Sequence, residues 1–459
     1  MLNPLETLRR WRHTVVPLPV KYGRRFRQVF RFLLEHQHRS RAELEAYQWQ
    51  RLKALLEYAY HHVPFYHRRF DAIGLRPEDI KSPADFVQVP TLRREEVVEC
   101  RQELKSDEIE QLDPLPSVTS GTTRDQMKFY RSRETEVWRR AVVWRHYFNL
   151  GYRFREPRAE LLCPLPFLKD NREMPVDYRE NALLIDPTSI SREHCPRIHA
   201  RLREFAPKMF FTHPGTATSL AEEFRGLGLA PLPIPLIVCT GEAVYPEYRA
   251  AIEEFFPGRI ARYYANRENT VAACELADGN MYLQSEYCFL EFLDDDEQPV
   301  ENEQANIVST SLVNYAFPFI RYHTDDVGRY CGYPTDAKLN LPVMEILGGR
   351  GKDLLLTRTG LRCTYMSTYS KRRGFDRYRR IQLIQPSLDE LIVRVVPTSR
   401  YRGDEDSELL RTLCREEFGD NFSVKVELVD GIPPTGACKN KMVVSQPAID
   451  YLRSRQNNA

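Results

Sequence analysis

Between residues 41 and 62, Leu44, Tyr47, Leu52, Leu55, Leu56 and Ala59 recur at the spacing of one helical face, which predicts an amphipathic helix. That helix stops before His62-Val63-Pro64-Phe65-Tyr66, because the residue ahead of a proline disfavours helical backbone. Ser82-Pro83-Ala84-Asp85 predicts a short helix with Ser82 as cap and Pro83 in its first turn. Residues 134–150, rich in Trp, Tyr and Val, predict another helix. Leu236-Ile237-Val238-Cys239 is a continuously apolar run of strand length, 246–256 has a helical pattern, and Arg259 to Tyr264 reads as the next strand. Strand, helix and strand at this spacing predict a βαβ unit in a mostly parallel sheet. After about residue 280 the pattern changes to short strands joined by acidic or polar turns: Leu290-Glu291-Phe292-Leu293, Asn306 to Thr310, and Phe319-Ile320-Arg321-Tyr322. These suit an antiparallel or barrel-like portion. Gly348-Gly349-Arg350-Gly351-Lys352-Asp353 is the densest glycine cluster and is taken as the domain boundary. Beyond it, a strand at 391–396, a helix at 407–418 and a strand at 424–429 predict a small α+β domain of about a hundred residues. The expected fold is a large N-terminal α/β domain with a β-barrel-like portion, residues 1–350, followed by a small α+β domain, 351–459.

Composition narrows the class. A hydrophobic content of 42% supports a sizeable core, and a net charge of +2 gives no global field that would argue for nucleic acid. The basic extension over residues 1–60 carries Arg9, Arg10, Arg12, Lys21, Arg24, Arg25, Arg27 and Arg31, which reads as a solvated helical face ahead of an arm touching anionic lipid or a partner. No apolar run approaches the roughly 18–20 residues of a membrane span, and no apolar stretch follows the basic N-terminus as in a secretory leader. The ten cysteines are scattered with no C-x-x-C pair, and His194-Cys195 with Cys163 fit no standard zinc spacing. Free thiols in a reducing cytoplasm are the expectation.

The chemistry concentrates in Thr119-Ser120-Gly121-Thr122-Thr123-Arg124-Asp125-Gln126-Met127-Lys128. Four hydroxyl-bearing residues and a glycine can aim hydroxyls and backbone N–H groups at one oxyanion, and a triphosphate is the obvious guest, although such clusters also make ordinary turns. The glycines at 348–351 do not form an NTPase P-loop, since a glycine is missing upstream and Asp353 stands where Ser or Thr must hold magnesium. No G-x-G-x-x-G element follows a strand, and no G-x-S-x-G elbow occurs.

Five segments in order resemble the adenylate-forming enzymes, the acyl-CoA synthetase superfamily. The loop 119–128 resembles their phosphate loop. Tyr264-Ala265-Asn266-Arg267-Glu268 is similar to their Tyr-Gly-x-x-Glu element, and Arg321-Tyr322-His323-Thr324-Asp325-Asp326-Val327-Gly328 to their Arg-Tyr-x-Thr-Gly-Asp-x-Gly element. Gly349-Arg350-Gly351-Lys352-Asp353 resembles their hinge, and Ile432 to Lys439 the segment ending in their catalytic lysine. His62 to Tyr66 and Val89-Pro90-Thr91-Leu92 resemble the phenylacetate–CoA ligase and CapK-like branch.

The resemblance implies a mobile C-terminal lid, an ATP and Mg²⁺ requirement, and a role for each matching residue. Thr119, Ser120, Gly121, Thr122 and Thr123 would hold the β- and γ-phosphates, with Lys128 adding charge. Gly241-Glu242-Ala243 would form the adenine shelf and Tyr264 would stack on the base. Asp326 would take the ribose hydroxyls and Arg350 the ribose or phosphate. Glu268 would bind Mg²⁺, Asp353 would be the hinge, and Lys439 would bridge the α-phosphate and the substrate carboxylate. The implied reaction is activation of a carboxylic acid as an acyl-adenylate in the cytoplasm. Transfer then goes to coenzyme A by default, or to a carrier-protein thiol or an amine. Trp144, Tyr147, Phe148, Phe210, Phe211, His213 and Val238 would wall the acyl pocket or pack the core. Departures from the family pattern are Arg124, Ala265, Asp325 and Cys438 in place of glycines and His323 in place of the usual arginine. Two other readings fit the same motifs: transfer of AMP to a hydroxylated cofactor, as in deazaflavin adenylylation, and a nucleotide-binding scaffold without turnover.

Overall fold

The computed structural model describes residues 22–451 except 120–126, 163, 164, 166, 242, 243, 245, 295, 336, 337, 349–353, 359, 364–376, 433–442 and 449. The chain divides into a large unit ending at residue 349 and a small one that follows it. Helices α1 (Gly23–His36), α2 (Arg41–His62), α3 (Pro64–Asp71) and α4 (Arg94–Glu99) open the large unit. A capping box starts α2, with the Glu43 carboxylate accepting from the Ser40 N–H at 2.9 Å, and Val63 takes extended backbone ahead of Pro64. Leu52, Leu55, Leu56 and Ala59 of α2 are buried in one core with the aromatic residues of α3. Ser82 precedes a 3-10 turn, Pro83–Gln88.

The basic N-terminal segment differs from a merely solvated helix. Phe26, Val29, Phe30 and Leu33 form a buried stripe on α1 that packs against α5 (Arg133–Asn149). Arg24, Arg27 and Arg31 stay exposed. Arg145 of α5 is 1% exposed and pairs with the equally buried Glu286 at 2.8 Å. Its guanidinium also donates to the Leu33 carbonyl of α1 at 3.1 Å, so one buried ion pair ties α1 and α5 to the turn around Glu286.

After the hairpin β1 (Pro114–Val118) and β2 (Lys128–Ser132), the large unit is built on a twelve-stranded sheet. Its strands are β3 (Arg158–Leu161), β4 (Val176–Asp177), β5 (Ala182–Leu184), β6 (Met209–Thr212), β7 (Leu236–Thr240), β8 (Arg259–Ala265), β9 (Ala272–Glu275), β10 (Met281–Leu283), β11 (Cys288–Leu293), β12 (Ala305–Ser311), β13 (Tyr322–Gly332) and β14 (Val343–Gly348). Strands β5, β3, β6, β7 and β8 run parallel, joined through α6 (Cys195–Phe205), α7 (Pro214–Gly226) and α8 (Pro246–Phe255). The unbroken apolar run of β7 follows from burial on both faces: Val238 enters the core beneath α5, whereas Ile237 and Cys239 enter the core of α7 and α8. Strands β9 to β14 continue the same sheet antiparallel, so the portion expected to be barrel-like is the antiparallel limb of one sheet.

The small unit has a four-stranded sheet of β17 (Tyr378–Ser387), β18 (Glu390–Pro397), β19 (Ser423–Leu428) and β20 (Val443–Ser445), after the hairpin β15 (Leu354–Thr357) and β16 (Gly360–Cys363). Helix α9 (Asp404–Phe418) closes its core with Leu410, Leu413 and Cys414. Among the described residues no helix is long and apolar enough to cross a membrane.

Candidate active site

Three parallel strands deliver their C-terminal ends to one place, where open α/β sheets generally bind ligands. His213 follows β6, Gly241 follows β7, and Tyr264 lies near the end of β8. Gly241 has φ +80°, and a Cβ there would stand 2.6 Å from the His213 ring, so this position needs glycine both for its backbone and for the space. His213 is held against it by an Nδ1 contact to the Thr240 carbonyl at 2.7 Å. Glu242 and Ala243 lie outside the described residues.

The Tyr264 hydroxyl donates to the Asp326 carboxylate at 2.9 Å, joining β8 to β13. Asp326 sits where β13 breaks register with β12: Val308 faces His323 and Asn306 faces Val327, so the β13 side carries extra residues. Asp325 within that bulge has φ +64°. A glycine would adopt this backbone freely, and aspartate is among the few side chains that tolerate it. Ala265 is not in that region of backbone space and pairs regularly with Ala272, so its replacement of glycine costs no backbone strain. The Asp326 N–H donates to the Thr324 hydroxyl at 3.2 Å, and that hydroxyl donates to the Ile307 carbonyl at 2.8 Å, which sets the bulge.

Glu268 is 3% exposed and accepts a 3.3 Å hydrogen bond from the Tyr322 hydroxyl. The turn that presents it is fixed by Asn266, whose side chain accepts from the Thr270 N–H at 3.0 Å and donates to the Thr270 hydroxyl at 2.6 Å. The Tyr322 hydroxyl also lies 4.0 Å from the Met127 sulfur. Met127 in turn accepts at its carbonyl from the Thr119 N–H at 3.0 Å, so the stem of the hydroxyl-rich loop stands beside Tyr322 and Glu268. Ser120, Gly121, Thr122 and Thr123 lie outside the described residues, as do Arg350, Asp353 and Lys439. Lys128 is exposed while Met127 and Phe129 on either side of it are buried, which turns Lys128 to the other face of the hairpin. Two cations not singled out from sequence meet the stem instead. The Arg94 guanidinium lies 3.4 Å from the Thr119 hydroxyl, and Arg267 donates to the Val118 carbonyl at 3.4 Å.

The N-terminal motif docks directly on the same strand. Leu92 pairs with Tyr322, its N–H donating to the Arg321 carbonyl at 2.8 Å and its carbonyl accepting from the His323 N–H at 3.0 Å. Glu297 gathers Thr91, Arg93 and His323 at 2.9, 2.8 and 3.2 Å. Burial and the Arg93 charge lower the His323 pKa against the opposing pull of Glu297. Arg321 is structural: 2% exposed, it donates to Glu291 and to the Val87 and Val89 carbonyls. Of the residues considered for an acyl pocket, Trp144, Tyr147, Phe210 and Val238 are buried core, whereas Phe148, Phe211 and His213 keep partial exposure.

Residues 358–446 match the CapK C-terminal domain. The chain is similar to the phenylacetate–coenzyme A ligase of Escherichia coli (strain K12), 24% identical over 330 residues that cover 69% of this chain and 73% of that enzyme. The corresponding enzyme of Thermus thermophilus is 24% identical over 69% of this chain and 73% of its own length. In fold the chain resembles 2-hydroxyisobutyryl-CoA ligase solved with 2-HIB-AMP and CoA in the thioesterification state. The TM-score is 0.61 at 20% identity, over 91% of this chain and 93% of the other.

Proposed function

Starting from a chain that is a relative of the phenylacetate–CoA ligases and shares the fold of a CoA ligase, we propose that it is an ATP-dependent, AMP-forming acid ligase. A substrate carboxylate oxygen attacks the α-phosphorus of ATP, the bond to the β-phosphate oxygen breaks, and acyl-adenylate and pyrophosphate form. A thiol or amine then takes the acyl group and AMP leaves, with coenzyme A as the first acceptor to try.

The observation that carries the reading is the meeting of Tyr264 with Asp326 at the ends of the parallel strands, next to Glu268 and the stem of the 119–127 loop. An aromatic ring hydrogen-bonded to an acceptor-only carboxylate suits a base stacked above a ribose diol. Gly241, Glu242 and Ala243 would floor the base. Thr119 to Thr123 would take the β- and γ-phosphates, with Arg94 and Arg267 supplying charge at the stem and Lys128 a more distant one. Mg²⁺ fits this donor set. The buried Glu268 carboxylate accepts one long hydrogen bond among the described residues and keeps oxygen lone pairs for a hard cation that takes its other ligands from phosphates and water. The positive charge of the cation would offset the negative charge of the triphosphate. Arg350 would reach the ribose or phosphate, and Lys439 would stabilise the charge that develops between carboxylate and α-phosphate as the lid turns about Asp353.

The test is pyrophosphate release over a panel of aromatic and aliphatic acids, with acyl products captured by CoA or hydroxylamine and identified by mass. Release that depends on the acid, and is crippled in Lys439→Ala with ATP affinity held within a few fold, is the expected result. Release without an acid but dependent on a hydroxylated cofactor would mean nucleotidyl transfer instead. Nucleotide binding with no release at all would leave only a scaffold.

A further inference from the structure

Helix α5 carries a charge cluster that the nucleotide site does not use. Glu136, in its first turn, accepts from Arg139 at 2.6 and 2.9 Å, from Arg131 of β2 at 3.2 Å and from Arg140 at 3.5 Å. One carboxylate among three guanidinium groups leaves the cluster net positive. Burial pushes the Glu136 pKa up, but the three arginines pull it down further, so it stays ionised and the excess charge is real. Arg140 is turned away over the Tyr22 ring, 4.6 Å from its centroid, which leaves Arg131 and Arg139 as the inner pair.

The Tyr287 hydroxyl is the second observation. Tyr287 is 2% exposed, and its hydroxyl has no hydrogen-bond partner among the described residues. The charges of Arg139, Glu136 and Arg131 all act on it. A buried polar group with no partner calls for an explanation, and this one packs in one apolar cluster with Trp138 and Ala141 of the helix that carries Arg139. Burial also pushes its pKa far up, so the phenol keeps its proton and can donate. Side-chain exposure falls from 37% at Arg139 to 18% at Arg131, and Tyr287 lies deeper still, so the donors are graded from solvent inward.

The cluster stands at a defined remove from the reacting end. Met127, Phe129 and Arg131 alternate onto one face of the hairpin, and four residues of strand span about 13 Å. Tyr263, next to Tyr264 on β8 and therefore on the opposite face of the sheet, also feels Arg139 and Tyr287.

We propose that Arg131, Arg139 and Tyr287 form a recognition site for a second oxyanion, a carboxylate, sulfate or phosphate, carried by the molecule that this chain activates or acylates. The assignment of the carrier rests on the ligase reading, whereas the oxyanion site itself does not. Arg139 gives Nε and one terminal nitrogen to Glu136, and Arg131 gives Nε to the Ser117 hydroxyl and one terminal nitrogen to Glu136. The remaining terminal N–H groups of the two guanidiniums would take the oxyanion, with the Tyr287 hydroxyl as a third donor. The distal anion would come either from a dicarboxylic or sulfonated acid, or from a phosphate of the acceptor.

The direct test needs no turnover. The full chain is titrated with sodium sulfate against an ionic-strength-matched sodium chloride series, and Trp fluorescence and thermal midpoint are followed. Saturable sulfate binding is expected, weakened at least tenfold in Arg139→Gln and several-fold in Tyr287→Phe, with Arg139→Lys keeping part of it and the exposed-face variant Arg24→Gln unchanged. Equal sulfate affinity in the wild type and Arg139→Gln overturns the site, whatever reaction the chain performs. The carrier is then identified by two arms. Pyrophosphate release is compared between phenylacetate and 1,4-phenylenediacetate without acceptor, and thioester yield is compared between CoA and pantetheine. A dianion preference that collapses in Arg139→Gln puts the anion on the acid, and a CoA preference that collapses puts it on the acceptor. Preferences unchanged by Arg139→Gln in both arms overturn the proposal. Absence of pyrophosphate release with every acid sinks the ligase reading and leaves the sulfate titration to judge the site.

Discussion

Asp325 adopts φ +64° in the bulge that presents Asp326, a backbone region where most side chains are strained. The sequence exposes only the departure, an aspartate where the resembling motif has glycine. The structure supplies the reason it is tolerated, since aspartate is one of the residues enriched in that region. Asp325→Gly therefore keeps the bulge, and its stability stays within about 1 kcal/mol of the parent. Asp325→Val puts a β-branched side chain into the left-handed region and is expected to lose roughly 1–3 kcal/mol. It should also weaken nucleotide binding through the displaced Asp326. Urea midpoints and ATP titrations of the pair check both, and a Val variant as stable and as tight as the Gly variant would show that the bulge does not depend on this backbone. Motifs drew attention to Tyr264, Glu268 and Asp326, and the structure joins Tyr264 to Asp326 and sets Glu268 against Tyr322. Arg94 and Arg267 were not singled out, because each acts through a neighbour distant in the chain, Thr119 and Val118. His213 was singled out for an acyl pocket or core packing but not for its packing on Gly241.

Elements were legible where their hydrophobic period was clean. The predicted helix 41–62 is α2, and the apolar run 236–239 lies within β7. The strand expected from Phe319 begins only at Tyr322, because Pro318 precedes it and Arg321 turns to φ +49° while donating to Glu291, Val87 and Val89. The β1–β2 hairpin was hidden by Pro114, Pro116 and the hydroxyl-rich sequence between its strands, and the buried stripe of α1 by the arginines around it. No local pattern announces a partnership across 141 residues such as Arg145–Glu286. Burial alone would raise the Glu286 pKa, but the charge and hydrogen bonds of Arg145, with that of His36, bring it to about 2. Arg145→Leu strands this charge in the core and should cost about 3–5 kcal/mol, with part regained in the Arg145→Leu/Glu286→Leu double variant. A urea series on the three variants measures it, and a single variant no less stable than the double one would contradict the argument. His146, one residue on, gives α5 a pH signature. Burial holds its pKa near 4, against a partial opposing pull from the Glu275 carbonyl. The unfolded chain binds that proton at about pH 6.5, so the stabilisation is complete above that value and falls away as pH drops toward 4, by up to roughly 3 kcal/mol. His146→Gln should flatten the denaturation midpoint between those two values, while the loss due to Glu286 remains below pH 4.5. A slope unchanged by the substitution would remove His146 as its source.

At the scale of the whole molecule, the apolar clusters sort by position along the chain. The cluster of Leu355, Leu383, Leu391, Val393, Leu410 and Val443 draws only on residues after 349, and every other cluster only on residues before it. Each unit therefore removes its own apolar surface from water, and neither core needs the other to form. Such a chain should not unfold as one cooperative block. Its tryptophans make the point measurable, since Trp11, Trp49, Trp138 and Trp144 are all four of them and none follows residue 349. Trp fluorescence thus follows the large unit alone, while far-UV circular dichroism follows the helices and strands of both. In urea the two signals are expected to give different midpoints, with a portion of the dichroism change occurring where fluorescence is flat. Arg145→Leu should move the fluorescence transition and leave that remaining portion in place, because the ion pair it breaks belongs wholly to the large unit. Coincident curves that shift together in the variant would mean that the two cores stand or fall as one, and the separation of cores would then have no thermodynamic consequence.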